Sequence, residues 1–223
     1  MLHLICAVAV IAAVLHHQLI PKKESTKKNH LIQTWLRLFT WVILLIFVSY
    51  EGTNEPLTLA LQLSLSVTIL HDVCELRWHD RVSMLTYLAL IMVATLFRAG
   101  GMWCVVAADA SHEIELVLIT TVTSLIVLIW FFITPVTDGK PKLPLGLYSF
   151  ATLMQLWLAL EVVLHKQDDW YHLLIAASVI YAYSFYRFYR VTYYQRNDDH
   201  LSCPPSSLIL ANLLMVVTAT LTV

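Results

Sequence analysis

His71, Asp72 and Glu75 fall within "SVTILHDVCELRWHDR" (residues 66–81), which opens as an apolar helix and leaves in a burst of charge. At helical spacing, His71 and Glu75 are i, i+4 neighbours and Asp72 and Glu75 are i, i+3 neighbours, so the three share one side of a helix. Two carboxylates held close together disfavour double ionisation, which makes one of them a candidate general acid. A plainer account exists: helix ends are wet, Arg77 and Arg81 follow, and the charges pair at a membrane interface. Ten histidines raise the question of a metal, and His71-x-x-x-Glu75 has workable ligand spacing. No second helix offers a compact His-x-x-x-His, so neither a metal nor another cofactor is expected.

Four more ionisable residues sit inside apolar stretches: Arg37, Arg98, Glu161 and Arg187. Such groups are costly in hydrocarbon and often functional. Arg98 and Glu161 fall at similar depth in their segments and are expected to pair, or each to face a polar cavity; the sharper alternative has Arg98 binding a lipid headgroup. The run "YAYSFYRFYRVTYY" (181–194) has the composition of an interfacial aromatic belt. Its functional alternative has Tyr181, Ser184 and Arg187 lining a substrate pocket that faces the His71 segment.

The elements that must carry these residues are membrane helices. Of 223 residues, 59% are hydrophobic and 13% are charged, about half the charged share of an ordinary soluble domain. Eight apolar segments occur, at 2–20, 31–50, 57–76, 84–108, 113–135, 144–165, 170–190 and 207–223. Each is about 17–25 residues, enough to cross ~30 Å of hydrocarbon. The fold class expected is an all-α integral membrane protein, one polytopic domain over 1–223. Only five glycines and long unbroken apolar runs argue against a barrel. A net charge of −1 gives no field for nucleic acid. Four scattered cysteines give no disulfide framework.

Lys22, Lys23, Lys27, Lys28, Arg77, Arg81, Lys140, Lys142, Arg190 and Arg196 gather in the odd-numbered connections. Acidic residues dominate the even ones. The bias puts the odd connections in the cytoplasm and both termini on the other side. Segment one lacks a basic leader, so it is expected to stay as a helix rather than be cleaved. "SVTILHDVCELR" from Ser66 and "SVIYAYSFYRFYR" from Ser178 lie 112 residues apart, half the chain. A parallel repeat of four plus four spans would make segments three and seven equivalent.

On these residues the chain resembles the YhhN-like lysoplasmalogenases, eight-span membrane proteins of about this length. The match runs through "LSLSVTILHD", "ASVIYAYSF", "LYSFATLMQLWLAL" (147–160) and "SSLILANLLMVVTATL" (206–221). The family carries Gly-Asp near the end of span three and Ser-Asp in span seven. Here the first motif reads His71-Asp72 and the second Ser184-Phe185, and segment four lacks the histidine usual there. The resemblance implies hydrolysis of the vinyl ether of a lysophospholipid, with Asp72 as acid/base. Glu75 or His71 would stand in for the acid that Phe185 replaces, and Ser184, Tyr181, Arg187, Arg98 and Glu161 would bind substrate. No metal is needed, and the partners are the lysophospholipid and surrounding membrane lipid. Two other readings are open. One is a non-catalytic lipid-binding or accessory protein on the same scaffold, motivated by Phe185. The other is a small transporter or channel with Arg98, Glu161 and Gln62 along a polar path.

Overall fold

A computed structural model describes residues 27–53, 55–78, 84–107, 142–166, 168–194 and 207–222. They form six α-helices: α1 (Lys27–Glu51), α2 (Glu55–Trp78), α3 (Met84–Ala107), α4 (Lys142–His165), α5 (His172–Tyr194) and α6 (Ser207–Leu221). No strand occurs among the described residues. The expected segments 2–20 and 113–135 lie outside them. Four helices, α1 to α4, are long and apolar enough to cross a membrane; α6 is a shorter apolar helix.

Local sequence explains the helix ends. The α1 helix has neither Gly nor Pro and stops at Gly52, whose N–H closes on the Val48 carbonyl at 3.1 Å. Pro56 and Pro144 lie in the first turns of α2 and α4, where a missing N–H costs little. Before α5, the Asp168 side chain accepts from the Trp170 N–H at 3.0 Å and starts a short 3-10 turn, Asp169–Tyr171.

The core is apolar, and unlike that of a soluble bundle so is much of the outer surface. On α1, Ile32, Trp35, Phe39, Val42 and Ile46 recur at helical spacing and are exposed, while Thr34, Arg37 and Thr40 are buried. Large apolar side chains also point outward from α2 (Leu59, Leu63), α4 (Leu160, Leu164) and α5 (Val179). A monomer in water rarely carries so much exposed apolar surface; lipid is the solvent that suits it. Buried hydroxyls close on their own helices: Thr40 to the Leu36 carbonyl, Thr95 to Ile91, Thr152 to Tyr148 and Ser184 to Ile180. Satisfying polar groups within a segment is what hydrocarbon demands.

Helix directions follow from paired contacts. Arg37 meets Glu75 and Ser49 meets Gln62, so α1 and α2 are antiparallel. Arg98 meets Ser64 while Gly101 faces Ala60, so α2 and α3 are antiparallel. Gln155 meets Ser178 and Tyr148 meets Phe185, which makes α4 and α5 antiparallel. Ser184 meets Ser207 and Thr218 meets Trp170, which makes α5 and α6 antiparallel. The ring closes at Thr53, just after α1. Its N–H donates to the Ala219 carbonyl at 3.0 Å and its hydroxyl to the Thr222 carbonyl at 2.7 Å. The C-terminal ends of α1 and α6 therefore share one face. It follows that α3 and α4, which pack side by side, run in the same direction. Ala107 and Lys142 lie at opposite faces of the bundle.

Gly101 permits the α2–α3 approach: a Cβ there would collide with the Ala60 Cβ and crowd the Pro56 carbonyl. Its neighbour Gly100 has nothing within 4 Å of the same position. Gly101→Ala is therefore expected to destabilise the bundle by about 1–3 kcal/mol through overpacking. Gly100→Ala should be neutral or stabilising by up to about 1 kcal/mol, because it removes a helix-interior glycine. Thermal unfolding of the detergent-solubilised variants checks this, and identical midpoints for the two would contradict the close crossing.

Candidate functional site

Asp72 is the centre of the first polar cluster and is 1% exposed. Three donors converge on it. Arg37 Nη2 reaches Oδ1 at 3.3 Å, Trp41 Nε1 donates to Oδ2 at 2.9 Å, and His71 Nδ1 lies 2.9 Å from Oδ1. The same Arg37 nitrogen donates to Glu75 Oε2 at 2.5 Å. Arg37 is 2% exposed, so one guanidinium is shared by two carboxylates out of reach of bulk water and offsets one of their two negative charges. Charge-assisted bonds of this kind are the strong ones.

The helices explain the convergence. His71, Asp72 and Glu75 fall within the last two turns of α2. Arg37 and Trp41 are i, i+4 on the inward stripe of α1, which runs the opposite way. One helix's late turns therefore lie level with the other's early turns. The three residues expected to act together are brought together: one donor atom from each of His71, Asp72 and Glu75 lies within 4.8 Å of the others. Such a set has the donors for a cation, and the cation it holds is the Arg37 guanidinium.

Arg37 and Trp41 are the members that sequence reasoning passed over. Arg37 stood among the intramembrane charges without a role, and Arg77 and Arg81 were expected as the partners of the acids. The signal was available: Arg37 is six residues into a segment entering from the face that the His71 segment leaves by. Antiparallel neighbours put those positions at one depth.

Two of the expected substrate-binding residues, Arg98 and Tyr181, form a separate centre. Arg98, on α3, donates from Nε to Gln155 Oε1 at 3.1 Å, from Nη1 to Ser64 Oγ at 2.7 Å and from Nη2 to Thr95 Oγ1 at 2.9 Å. Its Cζ lies 4.0 Å from the centroid of the Tyr181 ring. Ser64 and Asp72 are eight residues apart on α2, a rise of ~12 Å. Arg98 and Tyr181 therefore meet each other rather than the acid cluster.

Two expectations are corrected here. Arg98 and Glu161 do not pair. Because α3 and α4 are parallel, Arg98 is level with Gln155, and Glu161 is a turn and a half further on, where its Oε2 lies 3.4 Å from His165 Nδ1. Nor does Ser184 face the His71 segment; its hydroxyl lies 3.1 Å from that of Ser207 on α6. Phe185, at the position where the resembled family carries an acid, packs edge-on against Tyr148 at 4.7 Å. Arg187 lies on α5 with its side chain outside the described ones.

No family model, curated protein or solved structure matches this chain.

Removing Arg37 would leave two buried carboxylates without their shared cation. Breaking a buried pair from one side typically costs about 3–5 kcal/mol, and Arg37→Gln is expected to lose that much stability. Trp41→Phe removes one neutral donor and should cost about 1–3 kcal/mol. Thermal unfolding in detergent measures both, and an Arg37→Gln protein as stable as the native one would show that the pair does not hold α1 to α2.

Proposed function

We propose that this chain is an eight-span membrane hydrolase of the lysoplasmalogenase type, acting on the vinyl ether of a lysophospholipid. The observation that carries this reading is the His71 Nδ1 to Asp72 Oδ1 contact at 2.9 Å inside a buried cluster. A carboxylate against one ring nitrogen fixes an imidazole's orientation and tautomer, the arrangement used for general acid/base work. The span count draws support from the opposite-face positions of Ala107 and Lys142, since residues 108–141 connect them and 113–135 is apolar. With the odd connections cytoplasmic, both termini lie on the other side and the His71 cluster lies toward the cytoplasmic leaflet.

In this reading His71 protonates the alkene carbon remote from the ether oxygen. The resulting oxocarbenium ion is stabilised by the negative charge of Asp72 and Glu75. Water adds to its carbon, returning a proton to His71, and the hemiacetal collapses to an aldehyde and the glycerophospho-base. Asp72 thus positions His71 rather than delivering the proton itself, because its oxygens are already accepting from Arg37, Trp41 and His71.

A second reading has its own observation. The Phe185 ring packed on Tyr148 fits a scaffold that binds lipid without cleaving it. The two readings separate on aldehyde release from choline and ethanolamine lysoplasmalogen by the purified chain. Turnover is expected, with His71→Gln lowering it at least about 100-fold and Asp72→Asn also lowering it. A native protein that binds the lipid and releases no aldehyde favours the second reading.

A further inference from the structure

Arg98 is 3% exposed and lies near the middle of the bundle. A guanidinium keeps its charge in proteins and carries five N–H donors. Nε, Nη1 and Nη2 donate once each, to Gln155, Ser64 and Thr95. One N–H therefore remains on each terminal nitrogen. Every one of these acceptors is neutral, and no carboxylate among the described residues forms an ion pair with Arg98. The arrangement contrasts with Arg37, which faces two acids.

A second, independent observation lies beside it. Among the described residues the buried Tyr181 hydroxyl has no hydrogen-bond partner, on a side chain 4% exposed. The ring that bears it lies against the guanidinium. Buried hydroxyls of tyrosine ordinarily find an acceptor. An uncompensated cation with spare donors and an orphaned hydroxyl both lack the same thing, an anionic acceptor.

We propose that Arg98 and Tyr181 form a binding site for a single carboxylate group in the membrane interior. The two remaining Nη donors match the two oxygens of a carboxylate, the bidentate pairing that guanidinium favours. Tyr181 adds a third donor. One negative charge cancels one positive charge, whereas a dianion would leave a net charge buried beside Arg98, itself 3% exposed. The carboxylate is carried either by a long-chain fatty acid arriving from lipid or by a small water-soluble acid. The site does not rest on the hydrolase reading, since it lies two turns of α2 away from His71.

The test is saturation binding of radiolabelled palmitate and, separately, acetate to the full chain in nanodiscs of neutral phosphatidylcholine, with chloride and inorganic phosphate as competitors. One saturable site per chain is expected. Palmitate binding alone identifies the lipid source, and acetate binding identifies the soluble one. Arg98→Gln should lower affinity at least tenfold. Tyr181→Phe should lower it several-fold while leaving the thermal midpoint of the ligand-free protein unchanged, because that hydroxyl has no partner to lose. It therefore tests the site even if Arg98→Gln does not fold. Absence of saturable carboxylate binding, Tyr181→Phe binding as tightly as the native chain, or displacement by phosphate or chloride in preference to carboxylate would each overturn the proposal. His71→Gln should bind carboxylate normally, which keeps this result separate from aldehyde release.

Discussion

One guanidinium bound to two carboxylates joins α1 to α2. Arg37, Asp72 and Glu75 are all buried, and none of them would be tolerated there alone. Desolvating a charge costs several kcal/mol even in a protein interior, and lipid offers no water to recover it. The three must therefore be placed together, and that requirement fixes the register of two long helices. Trp41 and His71 then complete the shell of Asp72.

The rest of the bundle follows the same constraint with weaker partners. Thr40 and Thr152 close on carbonyls of their own helices, so their hydroxyls are buried without calling on a neighbour. Thr95 does both things: it donates to the Ile91 carbonyl and accepts from Arg98. Gln155 accepts from Arg98 and donates to Ser178 at 3.3 Å, linking α3, α4 and α5. Polar side chains thus form two levels, an ion-paired one near the ends of α1 and α2 and a mostly neutral one around Arg98. Apolar packing fills the space between them and small residues set the closest crossing, at Gly101 and Ala60.

The two levels bear differently on function. The first gathers an imidazole and two carboxylates under one cation, a set with acid/base capacity. The second holds a cation among neutral acceptors, a set suited to receiving a negative charge. Treating Arg98 and Tyr181 as parts of one site with Asp72 merges centres that the helix rise keeps two turns apart. Phe185 packs edge-on against Tyr148, joining α4 to α5 by an aromatic contact.

Sequence alone determined that helices long and apolar enough to cross a membrane dominate the described residues, the existence of six of the eight apolar segments as helices, and the grouping of His71, Asp72 and Glu75. These depend on composition and on contacts within a single helix, where the 3.6-residue period fixes the geometry. Segments 2–20 and 113–135 lie outside the described residues. Partners across helices were another matter. Arg77 and Arg81 were nearest in sequence to the acids, yet Arg37, 35 residues from Asp72, is the residue that meets them. Glu161 was matched to Arg98 by depth, yet a turn and a half of register and the nearer Gln155 decided otherwise. Periodicity reports which residues share a face of one helix; it does not report the rotation and offset between helices. Only the packed bundle sets those, because in lipid each buried charge settles against whichever neighbour the close crossings bring within hydrogen-bond reach.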